Sequence, residues 1–107
     1  MKKIIWANLA VRALKEIYLY HKLVAGERIA IKIKSGIFTA TRQLTNQPEL
    51  GQFETSLEGL GEGHRFLVQE NYKIIYKIVK EGILVTDLFD TRQDPKKMND
   101  PNRLVNP

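Results

Sequence analysis

The chain has 107 residues, 17 Lys and Arg against 12 Asp and Glu, a net charge of +5 and an ordinary apolar share of 43%. That bounds it to one domain over residues 1–107, with enough apolar residues for one modest core and too many for a disordered chain. It has no cysteine, which excludes disulfides, thiolate nucleophiles and Cys-based zinc sites and fits a reducing compartment.

The opening Met1-Lys2-Lys3 followed by Ile4-Ile5-Trp6-Ala7 imitates the start of a signal peptide, but Asn8 interrupts the apolar run and Arg12, Lys15 and Glu16 follow. No segment approaches the roughly 20 apolar residues of a membrane span, so the expectation is a cytoplasmic protein with no membrane partner. Lys3 to Ala7 reads as a short strand, and Asn8 is placed to cap the helix after it. From Leu9 to about His21, Ala10, Ala13, Leu14, Ile17 and Tyr18 fall at helical spacing. His21, near that helix end, reads as structural. Ala25-Gly26 marks a loop. Ile29, Ile33, Ile37, Ala40 and Leu44 then advance in steps of three and four, predicting a second helix of about five turns. Gly36 inside it would mark a close helix–helix contact. The two helices form a hairpin, and Asn46, Pro48 and Gly51 end the second.

Residues 47–63 read as a loop lying over the core, anchored by Phe53, Leu57 and Leu60. Glu49, Glu54, Glu58 and Glu62 stand in this stretch without a Lys or Arg, leaving 17 cations against 8 anions elsewhere. Such a balance favours an anionic partner: nucleic acid or an acidic protein. The glutamate spacings fit no metal motif, and no metal or cofactor is implied. Strands follow at about 64–69, 72–80 and 83–90, with turns at Glu70-Asn71 and Glu81-Gly82, since Asn and Gly tolerate positive φ. Tyr72, Ile74, Tyr76 and Ile78 share one face, which should pack on the helix hairpin. Lys73, Ile75, Lys77 and Val79 share the other. The expected class is α+β, in the order β-α-α-β-β-β, with helices on one face of a mostly antiparallel sheet.

Individual side chains have two readings each. Lys73 and Lys77 either contact phosphate or carboxylate on a partner or belong to a solvated strand face. Arg92, between Asp90 and Asp94, is a rim cation for a partner or one half of a local ion pair. His64 is a proton carrier or a turn-edge histidine, hydrogen-bonded or exposed. Tyr72 and Tyr76 read as core rather than base-stacking groups, and Trp6 as core or edge packing.

Taken in order, Ile4-Ile5-Trp6, the series Ala10, Leu14, Ile17 and Tyr18, then Pro48-Glu49-Leu50-Gly51, Arg65-Phe66-Leu67, Asn71 to Tyr76, and Phe89-Asp90-Thr91-Arg92-Gln93-Asp94-Pro95 form a pattern. It resembles the RelE/ParE superfamily of toxins from type II toxin–antitoxin and plasmid-stabilisation modules. The resemblance implies growth arrest by a small toxin and neutralisation by an acidic, partly disordered antitoxin. It leaves two mechanisms: ParE-like binding of DNA gyrase, without enzyme activity, or RelE-like cleavage of mRNA on the ribosome. A cleaving member would use Arg65, Lys73 and Arg92, with His64 nearby. Lys73 stands where the family's middle strand carries an arginine, so the bidentate grip on phosphate is lost. No Tyr or His follows Tyr76, so the usual proton donor after the last strand is missing. The resemblance therefore favours the ParE-like reading, with Lys73, Lys77, Arg92 and Arg65 as partner-binding residues.

Overall fold

Why the chain turns directly from strand to helix is visible at Ala7. In a computed structural model that describes residues 2–100, β1 (Lys3–Trp6) is followed by α1 (Asn8–Ala25) and α2 (Glu27–Arg42). Ala7 keeps an extended backbone and donates its N–H to the Val85 carbonyl at 2.9 Å, while its own carbonyl accepts from Val11. The sheet thus pins the helix start. Asn8 is the first helical residue and makes no side-chain cap, contrary to expectation. α1 also runs four residues past His21. Gly26 alone joins the helices: at φ 96° it donates to Lys22 and accepts from Ala30, a conformation that glycine adopts without steric cost.

The remaining strands are β2 (Gln52–Phe53), β3 (Arg65–Gln69), β4 (Tyr72–Val79) and β5 (Gly82–Asp90), with 3₁₀ turns at Gln43–Thr45, Thr55–Leu60 and Pro95–Asn99. The sheet order is β1-β5-β4-β3-β2. The three C-terminal strands form the expected antiparallel meander, and β1 lies parallel to β5 at one edge. This is the α+β arrangement that the patterning implies. β2 was not expected; it pairs with the start of β3. The positive φ in the first turn falls on Glu70 rather than Asn71. At Gly82 a side chain would collide with the Lys3 carbonyl, so glycine permits the close approach of β1 to β5.

Both faces of the sheet are covered, but unequally. Tyr72, Ile74, Tyr76, Ile83, Val85 and Leu88 meet Ala10, Ala13 and Ile17 of α1 and Ile37, Ala40 and Leu44 of the second helical arm. Each fully buried Ile, Val or Leu contributes about 1.5–3 kcal/mol. Trp6 packs edge-on against Phe38 at 5.5 Å. The opposite face holds a smaller cluster of Leu57, Ile75, Phe89 and Met98 with Phe66 against it. Of the three apolar anchors expected in the 47–63 segment, Leu57 is buried while Phe53 and Leu60 are exposed. Gly36 faces a strand rather than a helix: a Cβ there would meet Gln69 Nε2 at 2.8 Å. A bulge lets both clusters form. Ile75 pairs with Asp87 and Tyr76 with Val85, so Thr86 is the extra residue. The skip puts Val85 and Leu88 on the same face despite their odd separation.

Candidate functional site

The cations that sequence reasoning singled out are distributed over both faces of the sheet. Arg65 lies opposite Tyr76 in the register and shares its face. Its Nη1 donates to the carbonyls of Glu49 at 3.2 Å and Gly51 at 2.8 Å, and its guanidinium sits 4.0 Å over the Phe53 ring. From the other side the Tyr76 hydroxyl donates to the Pro48 carbonyl and accepts from the Gly51 N–H, both at 2.8 Å. Arg65 and Tyr76 together hold the Pro48–Gly51 turn, and burial pushes the Tyr76 phenol above its usual pKa range. A Cβ on Gly51 would strike the Phe66 carbonyl and the Tyr76 hydroxyl.

Lys73 and Lys77 lie on the opposite face, as expected, but not as an open cationic surface. Lys73 Nζ reaches Glu54 Oε1 at 2.7 Å and sits 4.2 Å over the Phe66 ring, its side chain 22% exposed and that of Glu54 only 2%. Glu54 Oε2 also accepts from the Ser56 N–H and so caps the Thr55–Leu60 turn. Lys77 pairs with Glu62 at 2.8 Å in a more exposed setting. The hydrogen bond from Lys77, with its charge, holds the Glu62 carboxyl below its usual range. The acidic stretch thus supplies internal counter-ions to the strand lysines.

His64 is neither exposed nor tied into a turn. It is buried, its Nε2 3.9 Å from Glu62, and its Nδ1 has no hydrogen-bond partner among the described residues. Burial, reinforced by Lys77 and opposed by Glu62, lowers its pKa, which favours the uncharged ring. His21 sits within α1 rather than at its end, with Nε2 2.8 Å from the Tyr72 hydroxyl.

Arg92 follows β5 and chelates Asp90: Nε to Oδ1 at 2.9 Å and Nη2 to Oδ2 at 2.7 Å, with the Arg92 N–H adding a third bond. The Arg92 hydrogen bond is the main reason that the Asp90 carboxyl lies below its usual pKa, and Asp90 in turn raises that of Arg92. Asp90 pairs with Tyr72 on the helix face. Arg65, opposite Tyr76, is therefore displaced from this pair by four residues of β4, about 13 Å at the rise of a strand. Lys73 is on the other face altogether. In-line phosphoryl transfer needs donors converging within about 3 Å of one set of phosphorane oxygens, and these three cations do not surround a common point.

A family model described as the ParE toxin of the type II toxin–antitoxin system parDE matches residues 4–95. The chain belongs to the ParE toxin family. A solved structure described as the chromosomal ParDE toxin–antitoxin system from P. aeruginosa is similar, with a TM-score of 0.71 at 17% identity, covering 84% of this chain and 96% of that chain. At that identity the likeness is one of fold. No curated protein matches the sequence. Among the described residues no helix is long and apolar enough to cross a membrane.

The residues that carry the resemblance have structural duties in this chain. Pro48 to Gly51 is the turn gripped by Tyr76 and Arg65, and Asp90-Thr91-Arg92 forms a closed knot: Thr91 donates from both N–H and Oγ1 to the Asn71 carbonyl beside the Asp90–Arg92 chelate. Sequence reasoning missed Glu54 as the partner of Lys73. The acid-only composition of residues 49–62 beside a lysine-bearing strand was the available signal.

Proposed function

We propose that this ParE-family toxin arrests growth by binding DNA gyrase in the cytoplasm, and that an acidic, partly disordered antitoxin holds it inactive. The supporting observation is the dispersal of Arg65, Lys73 and Arg92: each is engaged by its own internal partner, and they occupy two faces and two ends of the sheet. His64, the remaining proton carrier of the competing mRNA-cleavage reading, is buried, and among the described residues no second His or Tyr is placed beside it to share proton transfer. A surface that binds a large partner needs no such convergence; it needs shape, exposed apolar anchors and a charged rim.

The test is a supercoiling assay with pure gyrase and pure toxin. Inhibition at micromolar toxin, relieved by the co-encoded antitoxin, is expected. Undiminished supercoiling at that concentration removes gyrase as the target.

A further inference from the structure

The Pro95–Asn99 turn lies against the sheet face opposite the helices, and one buried side chain fastens it there. Met98 is 3% exposed and packs with Leu57, Ile75 and Phe89, whereas Pro95, Lys96, Lys97 and Asn99 are exposed. The bonds that shape the turn are local. The Lys96 N–H donates to the Asp94 carboxylate, the Lys97 N–H to the Asp94 carbonyl and the Asp100 N–H to the Lys97 carbonyl. The family match ends at residue 95, so all but the first residue of the turn lie beyond the shared pattern.

Met98 also lines a cleft of about 70 Å³. A water molecule takes up about 30 Å³ in the liquid, so the cleft admits a molecule of the size of water or slightly larger. His64, Thr86, Asp87 and Asn99 bring polar groups to its wall, and leucines complete it. His64 Nδ1 is buried without a hydrogen-bond partner among the described residues. A small neutral molecule that both donates and accepts hydrogen bonds suits such a wall. A bulky molecule does not fit, and buried Asp87 disfavours an anion. The readily oxidised group on the wall is the Met98 thioether.

We propose that Met98 is a modification site for hydrogen peroxide, which enters this cleft and converts the thioether to a sulfoxide, releasing the Pro95–Asn99 turn from the sheet. A sulfur lone pair takes up one peroxide oxygen. The O–O bond breaks as the S–O bond forms, and the other oxygen leaves with both protons as water. Sulfur is oxidised by one electron pair, and the peroxide is reduced by that same pair. The sulfoxide is polar, and the side chains of Leu57, Ile75 and Phe89 offer its oxygen no hydrogen bond. With Met98 expelled, the turn loses its fastening and the Lys96–Lys97 segment becomes open to proteases. Methionine sulfoxide reductases reverse the oxidation, so the latch can be reset. It acts whatever the target of the toxin.

The experiment treats the folded chain with millimolar hydrogen peroxide, reads oxygen addition at Met98 by peptide mass analysis, and follows native-state trypsin cleavage after Lys97. The other methionine, Met1, lies outside the described residues and is scored separately. Met98 of the folded chain should oxidise within about tenfold of the rate of free N-acetylmethionine, despite its burial. Cleavage of the oxidised chain should be at least about tenfold faster than before treatment, as loss of a buried Met side chain implies, and the reductase should restore the slow rate. tert-Butyl hydroperoxide, too bulky for the cleft, should lag well behind hydrogen peroxide once each is normalised to N-acetylmethionine. M98L keeps the apolar volume without the sulfur; it should unfold near the wild-type midpoint and show no effect of peroxide on cleavage. Oxidation of Met98 only after unfolding in urea, equal normalised rates for the two peroxides, sulfoxide formation without faster cleavage, or the same peroxide response in M98L would each overturn the proposal.

Discussion

Glu54 and Lys73 provide the sharpest test of whether the strand cations serve the fold. Replacing Glu54 by Gln keeps an oxygen for the Ser56 N–H but removes the charge that Lys73 faces at 2.7 Å. Breaking a fully buried pair costs about 3–5 kcal/mol, and an exposed pair is worth about 0–1 kcal/mol. Here the carboxylate is sealed in while the ammonium keeps 22% exposure and the Phe66 ring beneath it. The expected loss therefore lies between those limits, about 2 kcal/mol. Lys73→Met leaves the carboxylate buried with one remaining hydrogen bond and should cost at least as much. The double variant removes both charges and should cost about 1 kcal/mol or less, so a double-mutant cycle should return a coupling of about 3 kcal/mol or more. Urea unfolding measures it, each single variant moving the midpoint by roughly 1 M at the denaturant sensitivity of a domain this size. Single losses below about 0.5 kcal/mol with no coupling would refute the reasoning and return Lys73 to the set of free surface cations.

Three further outcomes follow from the geometry. Tyr76→Phe strips the bonds to Pro48 and Gly51 at once and should cost about 1–3 kcal/mol in the same urea assay. Lys77→Ala should lower the thermal midpoint only slightly, since the Glu62 half of its pair is exposed, and thermal unfolding in low and high salt should show the contribution screened away. His64 has a folded pKa depressed below its ordinary 6.5, so the unfolded chain takes up the proton first. Stability should be complete above pH 6.5 and fall as the pH drops from there toward the folded value, and a pH series on His64→Gln should lose that limb while keeping the carboxylate-driven decline below about pH 4.

What the sequence revealed and what it hid divide along sequence distance. The spacing of Ala10, Ala13 and Ile17, the series Ile29 to Leu44, and the alternation from Tyr72 to Ile78 each encode a local period, and two helices and the meander form there, although α1 runs past its expected end, Leu44 falls in a 3₁₀ turn after α2, and Ile29 and Ile78, at the ends of their series, stay exposed. The place of β1 beside β5 joins Ile4 to Ile83 and has no local signature. β2 is two residues long, too short for alternation to show. The bulge at Thr86 adds one residue inside an otherwise regular strand, and its reason, burial of both Val85 and Leu88 against the helices, is visible only in three dimensions. At the site, the positions of Lys73, Lys77 and Arg92 on strands and at a strand end were legible, but not the neutralisation of the lysines, because Glu54 and Glu62 return from 19 and 15 residues away. Arg92 was the exception: its partner lies two residues away, and a local ion pair with Asp90 was one of the two readings available.

The central claim is that Arg65, Lys73 and Arg92 do not assemble around a scissile phosphate. Mapping transcript ends in cells after induction of the toxin tests this most directly. Intact transcripts during growth arrest are the expected result. Codon-biased cuts that disappear when Lys73 and Arg92 are replaced by Ala, in variants that still fold, would contradict the account.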